Sequence, residues 1–167
     1  MCVHPPPLWP DESQRFFPSF VIHSTVVPGC FSIASIIASL TGGELEAIMD
    51  RIQANDPRSW SMVLQEFGMK LAFCPTDVRR VIHYLDELVA LNDVFILTFY
   101  TPERPPRILA EPDNLGWVCG MHSVLVVRDM IYDPYLDVRQ RIYAHHCRHF
   151  HTKSIFRVVP ARCPRGI

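Results

Sequence analysis

Residues 28–40 read PGCFSIASIIASL and place a cysteine directly before the strongest helical pattern in the chain. Apolar side chains recur there at the three- and four-residue spacing of one helix face, namely Ile33, Ile36, Ile37 and Leu40. Gly42 and Gly43 follow and end the pattern. The sequence therefore predicts a helix over residues 31–40, with Cys30 just ahead of its first turn.

Cys30 stands where a thiol becomes nucleophilic. The N-terminus of a helix carries partial positive charge, which lowers the pKa of a nearby thiol and favours the thiolate, the form that attacks. Gly29 has no side chain, so a substrate backbone can approach closely beside it. The alternative is a structural cysteine, a small buried side chain that fills a gap between a helix and a sheet.

The remaining periodicities predict an α+β fold, in which helices come first and a mostly antiparallel sheet follows. Further helices are predicted over residues 44–54, 57–67 and 76–88. The last of these is expected to bury Val78, Val81, Ile82, Leu85 and Leu88. Strands are predicted over residues 69–73, 94–100, 123–127, 130–132 and 154–159.

His122 and Asp133 are the candidate partners of Cys30. His122 is predicted to open the strand 123–127, where a rigid support would aim its ring into a cleft. Asp133 closes the next strand, and in a hairpin the end of the second strand returns to the start of the first. Asp133 would then orient the His122 ring. Each residue alone also has a structural reading, a core histidine or an Asp-Pro turn.

Taken together, these pieces resemble the papain-like cysteine peptidases, and within them the bacteriocin-processing, double-glycine-leader peptidases. The matching segments are Gly29-Cys30 before the helix, residues 122–127 (HSVLVV) and residues 131–134 (IYDP), and the order of the elements between them also matches. The resemblance covers residues 23–160. It implies a papain-like fold, with helices packed on a small antiparallel sheet, and a catalytic triad of Cys30, His122 and Asp133.

One expected residue departs from the family pattern. The resemblance implies a glutamine about six residues before the nucleophile, where it helps to stabilise the developing oxyanion. This chain has Ser24 there, beside His23. Either of these two side chains takes that role, Gln14 supplies it from the preceding segment, or the oxyanion hole is incomplete. Gly29, Trp117 and Gly120 are the candidates for lining the substrate cleft.

The chain is predicted to contain one domain, residues 23–160, with an extended proline-rich arm before it (1–22) and a basic tail after it (161–167). The arm or the tail is a candidate contact for a protein assembly partner. The formal net charge of −1 makes nucleic acid an unlikely ligand. We expect no signal peptide, no membrane span and reduced cysteines, and hence a cytoplasmic protein or a component of an assembly such as a phage particle.

Residues 145–151 (HHCRHFH) are rich in potential zinc ligands. No second ligand pair stands at a recognisable spacing, so the favoured interpretation is a polar surface segment, and neither a metal nor a cofactor is predicted.

The sequence as a whole predicts a cysteine hydrolase acting on an amide, most simply a peptide bond. Two alternatives remain open, namely a cell-wall (peptidoglycan) amidase of phage type and a non-catalytic structural or adaptor protein that retains the fold.

Overall fold

The computed structural model describes residues 15–23, 32–101 and 120–167, with Ser32 described by its backbone alone. Its α-helices are α1 (Ser32–Thr41), α2 (Leu45–Met49), α3 (Pro57–Gln65) and α4 (Leu85–Leu91). Its strands are β1 (Met69–Cys74), β2 (Val94–Thr101), β3 (Gly120–Val127), β4 (Met130–Asp133), β5 (Val138–Arg141) and β6 (Thr152–Pro160). Short 3₁₀ turns span Val81–His83, Ile142–Ala144 and His146–His149. The α+β class predicted from the sequence is confirmed.

The six strands form one sheet in the order β1-β6-β2-β3-β4-β5, and every neighbouring pair is antiparallel. The central strands are apolar and are buried on both faces, as the Val94–Thr101 sequence VFILTFYT leads one to expect. β3 and β4 are joined by a tight turn at Arg128 and Asp129, and this predicted hairpin is confirmed.

Helix α1 is buried over residues 33–40, all of which are shielded from solvent. The buried Ser39 does not oppose this burial, since its hydroxyl donates a hydrogen bond to the Ser35 carbonyl oxygen at 2.8 Å. Gly42 ends the helix at φ 74°, a left-handed conformation that suits a residue without a Cβ. The predicted helix is thus confirmed to within one residue over its described part.

Helix α3 begins as its sequence predicts. The Asp56 carboxylate accepts a hydrogen bond from the Arg58 amide at 3.0 Å, and Pro57 occupies the first helical position. The helix packs on β1 and places the Ser61 hydroxyl at the outer edge of that strand. There the hydroxyl accepts from the Leu71 amide at 3.0 Å and donates to the Ile167 carbonyl oxygen.

The sheet separates two hydrophobic clusters. The first, which we call the α1 face, joins α1 and α3 to side chains such as Leu125, Val127 and Tyr132. The second, which we call the α4 face, joins α4 and the 3₁₀ turns to side chains such as Phe99 and Val124. Successive residues of a strand point to opposite faces, so the position of each side chain follows from its place in the strand.

Two of the helix predictions need correction. The second helix ends at Met49, not at residue 54. The predicted fourth helix is replaced by an extended segment, a 3₁₀ turn and α4, and Val78 and Ile82 are 55% and 50% exposed rather than buried. The backbone gives the reason, because residues 79–81 hydrogen-bond to residues 150–152: the Thr152 amide donates to the Arg79 carbonyl oxygen and the Val81 amide donates to that of Phe150.

Candidate active site

The β3–β4 hairpin brings His122 and Asp133 together. Leu125 pairs with Tyr132 in this hairpin, so continuing the register by one step sets Asp133 opposite Val124. His122 lies two residues before Val124 and therefore points to the same face, as a diagonal neighbour of Asp133. The side chains meet, with His122 Nε2 and Asp133 Oδ1 2.7 Å apart. His122 is the third residue of β3, not the first as predicted, because the strand begins at Gly120.

The Asp133 carboxylate is inaccessible to solvent yet well supplied with donors. Oδ1 accepts hydrogen bonds from the Tyr135 and Leu136 amides at 3.0 and 3.3 Å in addition to the His122 contact. Oδ2 contacts His145 Nε2 at 2.9 Å. Burial alone would favour the neutral acid, but the hydrogen bonds from His122 and His145 outweigh it and hold the pKa of Asp133 well below its ordinary value.

This environment fixes the roles of the two nitrogens of His122. An ionised carboxylate can only accept hydrogen bonds, so His122 Nε2 carries a proton and donates the hydrogen bond that Asp133 Oδ1 accepts. His122 Nδ1 is then the unprotonated nitrogen of the neutral ring and is the atom able to take a proton from a nucleophile. The ring lies edge-on to Phe99 and Tyr135, and its side chain is 13% exposed. The pair therefore has the geometry of a base and its orienting acid.

His145 is a member of this cluster that the sequence did not single out. It was expected in a polar surface segment, but its side chain is fully buried. Its Nδ1 accepts a hydrogen bond from the Cys147 amide at 3.1 Å, so Nδ1 carries no proton. Nε2 must then carry it and donate to Asp133. The interpretation of residues 145–151 as a wholly exposed segment was therefore wrong for His145, whereas His146 and His149 are exposed.

Asp133, His145 and His146 each offer a potential metal-ligand atom, and these atoms lie within 4.8 Å of one another. The hydrogen bonds argue against a cation here. Ligation by His145 Nε2 would displace the proton that this nitrogen shares with Asp133, while Nδ1 is occupied by the Cys147 amide. A neutral imidazole that serves as a ligand through one nitrogen donates a proton from the other, and His145 has no proton to donate there. The cluster thus fits a hydrogen-bonded network better than a metal centre.

The described structure does not place the other predicted site residues in contact with His122 and Asp133. Cys30, Ser24, Gly29 and Trp117 lie outside the described residues. Gly120 is buried and begins β3, two residues before His122. His23 contacts the other end of α1: its amide donates to the Ser39 carbonyl oxygen at 2.9 Å, about 10 Å along the helix from Ser32, and its ring lies against Gly42.

The two halves of the proposed site are carried on different faces of the sheet. His122 and Asp133 share the face of Val124 and Phe99, which is the α4 face. Helix α1, whose first described residue lies two positions after Cys30, packs on the opposite face. Among the described residues, helix α1 and the His122–Asp133 pair are therefore separated by the sheet.

Two described cysteines are poor nucleophiles. Burial raises the pKa of the Cys74 thiol to about 12 and that of the Cys147 thiol to about 12. Both thiols therefore stay protonated at neutral pH and react slowly. Together with Cys163 they are free cysteines within the described part of the chain.

Comparison with known proteins found no matching family model, no similar curated protein and no similar solved structure. Among the described residues, no helix is both long and apolar enough to cross a membrane. The function must therefore be inferred from the geometry around His122 and Asp133 and from the sequence around Cys30.

Proposed function

We propose that this protein is a cysteine hydrolase of papain-like fold that cleaves an amide bond, most simply a peptide bond, with Cys30 as nucleophile. The observation that supports this proposal is the 2.7 Å contact between His122 Nε2 and the buried Asp133 carboxylate, which leaves Nδ1 as a base. The position of Cys30 two residues before α1 supports it further, because a helix N-terminus favours a thiolate.

The proposed reaction has two halves, the formation of a thioester on Cys30 and its hydrolysis, and the same three residues act in both. Cys30 Sγ gives its proton to His122 Nδ1 and forms a bond to the substrate carbonyl carbon. His122 passes that proton to the leaving nitrogen as the C–N bond breaks, which leaves a thioester on Cys30. Water then attacks the thioester, its proton returns through His122 to the Cys30 sulfur, and the carboxylic acid product departs. Asp133 stabilises the imidazolium that exists between these transfers.

The proposal carries one geometric requirement. The Cys30 thiol must reach the side chain of His122, although α1, which begins two residues after Cys30, packs on the other face of the sheet. A peptide bound beside His122 and Asp133 would meet the exposed side chains of Tyr135 and Leu136, which flank them. A peptidoglycan amidase would use the same chemistry on a different substrate.

A second candidate function is a non-catalytic structural or adaptor protein. The specific observation that favours it is the separation just described, in which His122 and α1 occupy opposite faces of the sheet. In that case His122, Asp133 and His145 form a buried polar network that stabilises the hairpin, and Cys30 is an ordinary thiol.

The two candidates differ in the reactivity of Cys30. We expect iodoacetamide to alkylate Cys30 faster than the other cysteines at pH 6–7, with an apparent pKa well below the value of about 8.5 for a free thiol. Cys74 and Cys147 are internal references because their thiols are protonated at that pH. Peptide mass spectrometry separates the rates of the six cysteines.

Two variants make this measurement decisive. His122→Gln keeps an N–H that can reach Asp133 but has no titratable nitrogen, so it should remove the advantage of Cys30 while the fold is retained. Cys30→Ala should abolish hydrolysis and leave the thermal melt unchanged. If wild-type Cys30 reacts no faster than Cys163, or if His122→Gln leaves the rate at Cys30 unaltered, the hydrolase proposal fails and the adaptor is favoured.

A further inference from the structure

His145 is positioned to act on Asp133, on the side away from His122. Among the described residues, Oδ1 of Asp133 receives three donors, from His122 and the Tyr135 and Leu136 amides. Oδ2 contacts His145 Nε2, at 2.9 Å. Both side chains of this second contact have no exposed surface. A water molecule therefore cannot replace His145 as the donor to Asp133 Oδ2 unless the cluster rearranges.

The His145 ring is itself held in one tautomer. The Cys147 amide donates to Nδ1 at the start of the 3₁₀ turn His146–His149, where the His145 side chain serves as the cap. That bond fixes the proton on Nε2, facing Asp133. The chain thus contains a continuous series of hydrogen bonds that runs from the Cys147 amide through His145 and Asp133 to His122.

We propose that His145 is a positioning residue of the hydrolase site, which orients the Asp133 carboxylate and, through it, keeps the proton of His122 on Nε2. This inference rests on the proposed function. With both carboxylate oxygens engaged, Asp133 cannot rotate about its Cβ–Cγ bond without breaking a buried hydrogen bond. His122 Nδ1 is thereby kept free of the proton and available to the thiol of Cys30.

The rival interpretation is that His145 only fills the core and caps a turn. The chain offers a matched pair of substitutions that separates the two roles. His145→Asn places an oxygen where Nδ1 lies, so it keeps the cap on the Cys147 amide but has no donor long enough to reach Asp133. His145→Gln extends an N–H towards Asp133 and gives up the cap geometry. Cys147→Ala perturbs the packing of the same turn and leaves its amide and both hydrogen bonds in place.

The first readout is the state of the His122 ring, measured by long-range ¹⁵N–¹H NMR of the histidine side chains at pH 7–8. In the wild type, His122 should show the tautomer with the proton on Nε2. Three titratable neighbours can also affect the NMR signals of His122, namely His145, His146 and Tyr135. They face the same cluster from the 3₁₀ turn and the β4–β5 connection. His145→Asn should shift His122 towards a mixture of tautomers, while His145→Gln and Cys147→Ala should retain the wild-type signal.

The second readout is the alkylation rate of Cys30 at pH 6–7. The loss of one buried hydrogen bond to the carboxylate should slow it by about tenfold in His145→Asn, with His145→Gln and Cys147→Ala near the wild-type rate. A His145→Asn variant that is folded and has both an unchanged His122 tautomer and an unchanged Cys30 rate overturns the proposal. Slow alkylation of wild-type Cys30 refutes the hydrolase instead, and the His122 tautomer then decides the positioning role alone.

Discussion

At the level of single residues, Asp133 is a buried charge whose hydrogen bonds all come from the protein. It is an ionised carboxylate without solvent contact, and hydrogen bonds from two imidazole rings and two amides replace its hydration. A buried charge is tolerated only when its hydrogen-bonding capacity is met within the protein. The arrangement therefore couples the stability of the hairpin to the protonation state of one group.

Asp133→Asn should lower the free energy of unfolding by about 1–3 kcal/mol at neutral pH, because the new amide nitrogen faces donors where an oxygen accepted before. Hydrogen bonds hold the folded pKa of Asp133 below its unfolded value, so its contribution is fully present above about pH 4 and is lost as the pH falls further. Urea unfolding should therefore show the difference in stability between the two proteins shrinking as the pH falls below about 4.

A suitable control is Asp129→Asn, which removes an exposed carboxylate that lies in the β3–β4 turn and pairs with Arg141 of β5. Its effect should stay within about 0.5 kcal/mol at neutral pH, since exposed ion pairs contribute little. A difference between Asp133→Asn and wild type that does not change with pH would show that Asp133 titrates like an unperturbed side chain.

The contact between His122 and Asp133 could be predicted from the sequence, because a hairpin with a two-residue turn fixes which residues become neighbours. The contribution of His145 could not. Residues 142–149 form two short 3₁₀ turns, too short for a hydrophobic period to show which of the clustered histidines points inward. A local signal for His145 was present but was missed. His145 stands two residues before Cys147, the spacing at which a side chain accepts a hydrogen bond from the backbone amide, and this role is usually sought in Asp, Asn or Ser.

At the level of elements, the segment 15–23 is attached to the sheet by a buried ion pair. Arg157 of β6 donates to Asp93 Oδ2 through Nε at 3.0 Å and Nη2 at 2.8 Å, and both side chains are inaccessible to solvent. The amides of Phe16 and Phe17 donate to the two oxygens of the same carboxylate, each at 3.1 Å. The Arg157 guanidinium also lies over the Phe16 ring, 4.7 Å from its centroid.

Asp93→Ala should lower the free energy of unfolding by about 3–5 kcal/mol, because it removes the carboxylate that balances a buried guanidinium. It should also detach residues 15–17 and make the bond after Arg15 a preferred site for limited trypsin digestion. Guanidinium chloride unfolding and timed digestion measure the two effects.

The double variant Asp93→Ala/Arg157→Met is the informative companion, since it removes the unbalanced charge and keeps an apolar side chain of similar length. It should recover part of the lost stability, yet remain as sensitive to trypsin as the single variant, because the acceptor for the Phe16 and Phe17 amides is still missing. Wild-type resistance to trypsin in Asp93→Ala would show that the carboxylate does not hold this segment.

Two elements show where local patterns mislead. Strand β5 was not predicted, because its sequence VRQR is polar and the strand lies at an edge, where burial imposes no apolar alternation. The predicted fourth helix failed for the opposite reason. Residues 76–82 have a helical period, but the backbone at residues 79–81 pairs with residues 150–152, which are about seventy positions away. Long-range hydrogen bonds of this kind leave no trace in a short window of sequence.

In the molecule as a whole, both faces of the sheet are covered, but its two edge strands differ in how their outer hydrogen-bonding groups are satisfied. β2 pairs with β3 on one side and β6 on the other, and its side chains enter both hydrophobic clusters. The outer edge of β1 is capped at Leu71 by the Ser61 hydroxyl and the Ile167 amide. No described strand pairs with the outer edge of β5.

Amide hydrogen exchange should differ between the central strand β2 and the two edge strands, β1 and β5. After correction for intrinsic rates, the amides of β2 should exchange more than about 100-fold more slowly than the outward-facing amides of β5, since only global unfolding exposes the former. The Leu71 amide should be protected despite its position in an edge strand, and Ser61→Ala should release it selectively while β2 remains slow. Fast exchange in β2 would contradict a sheet buried on both faces. Protection of β5 equal to that of β2 would mean that its edge is covered in solution, as an adaptor docked through strand addition would require.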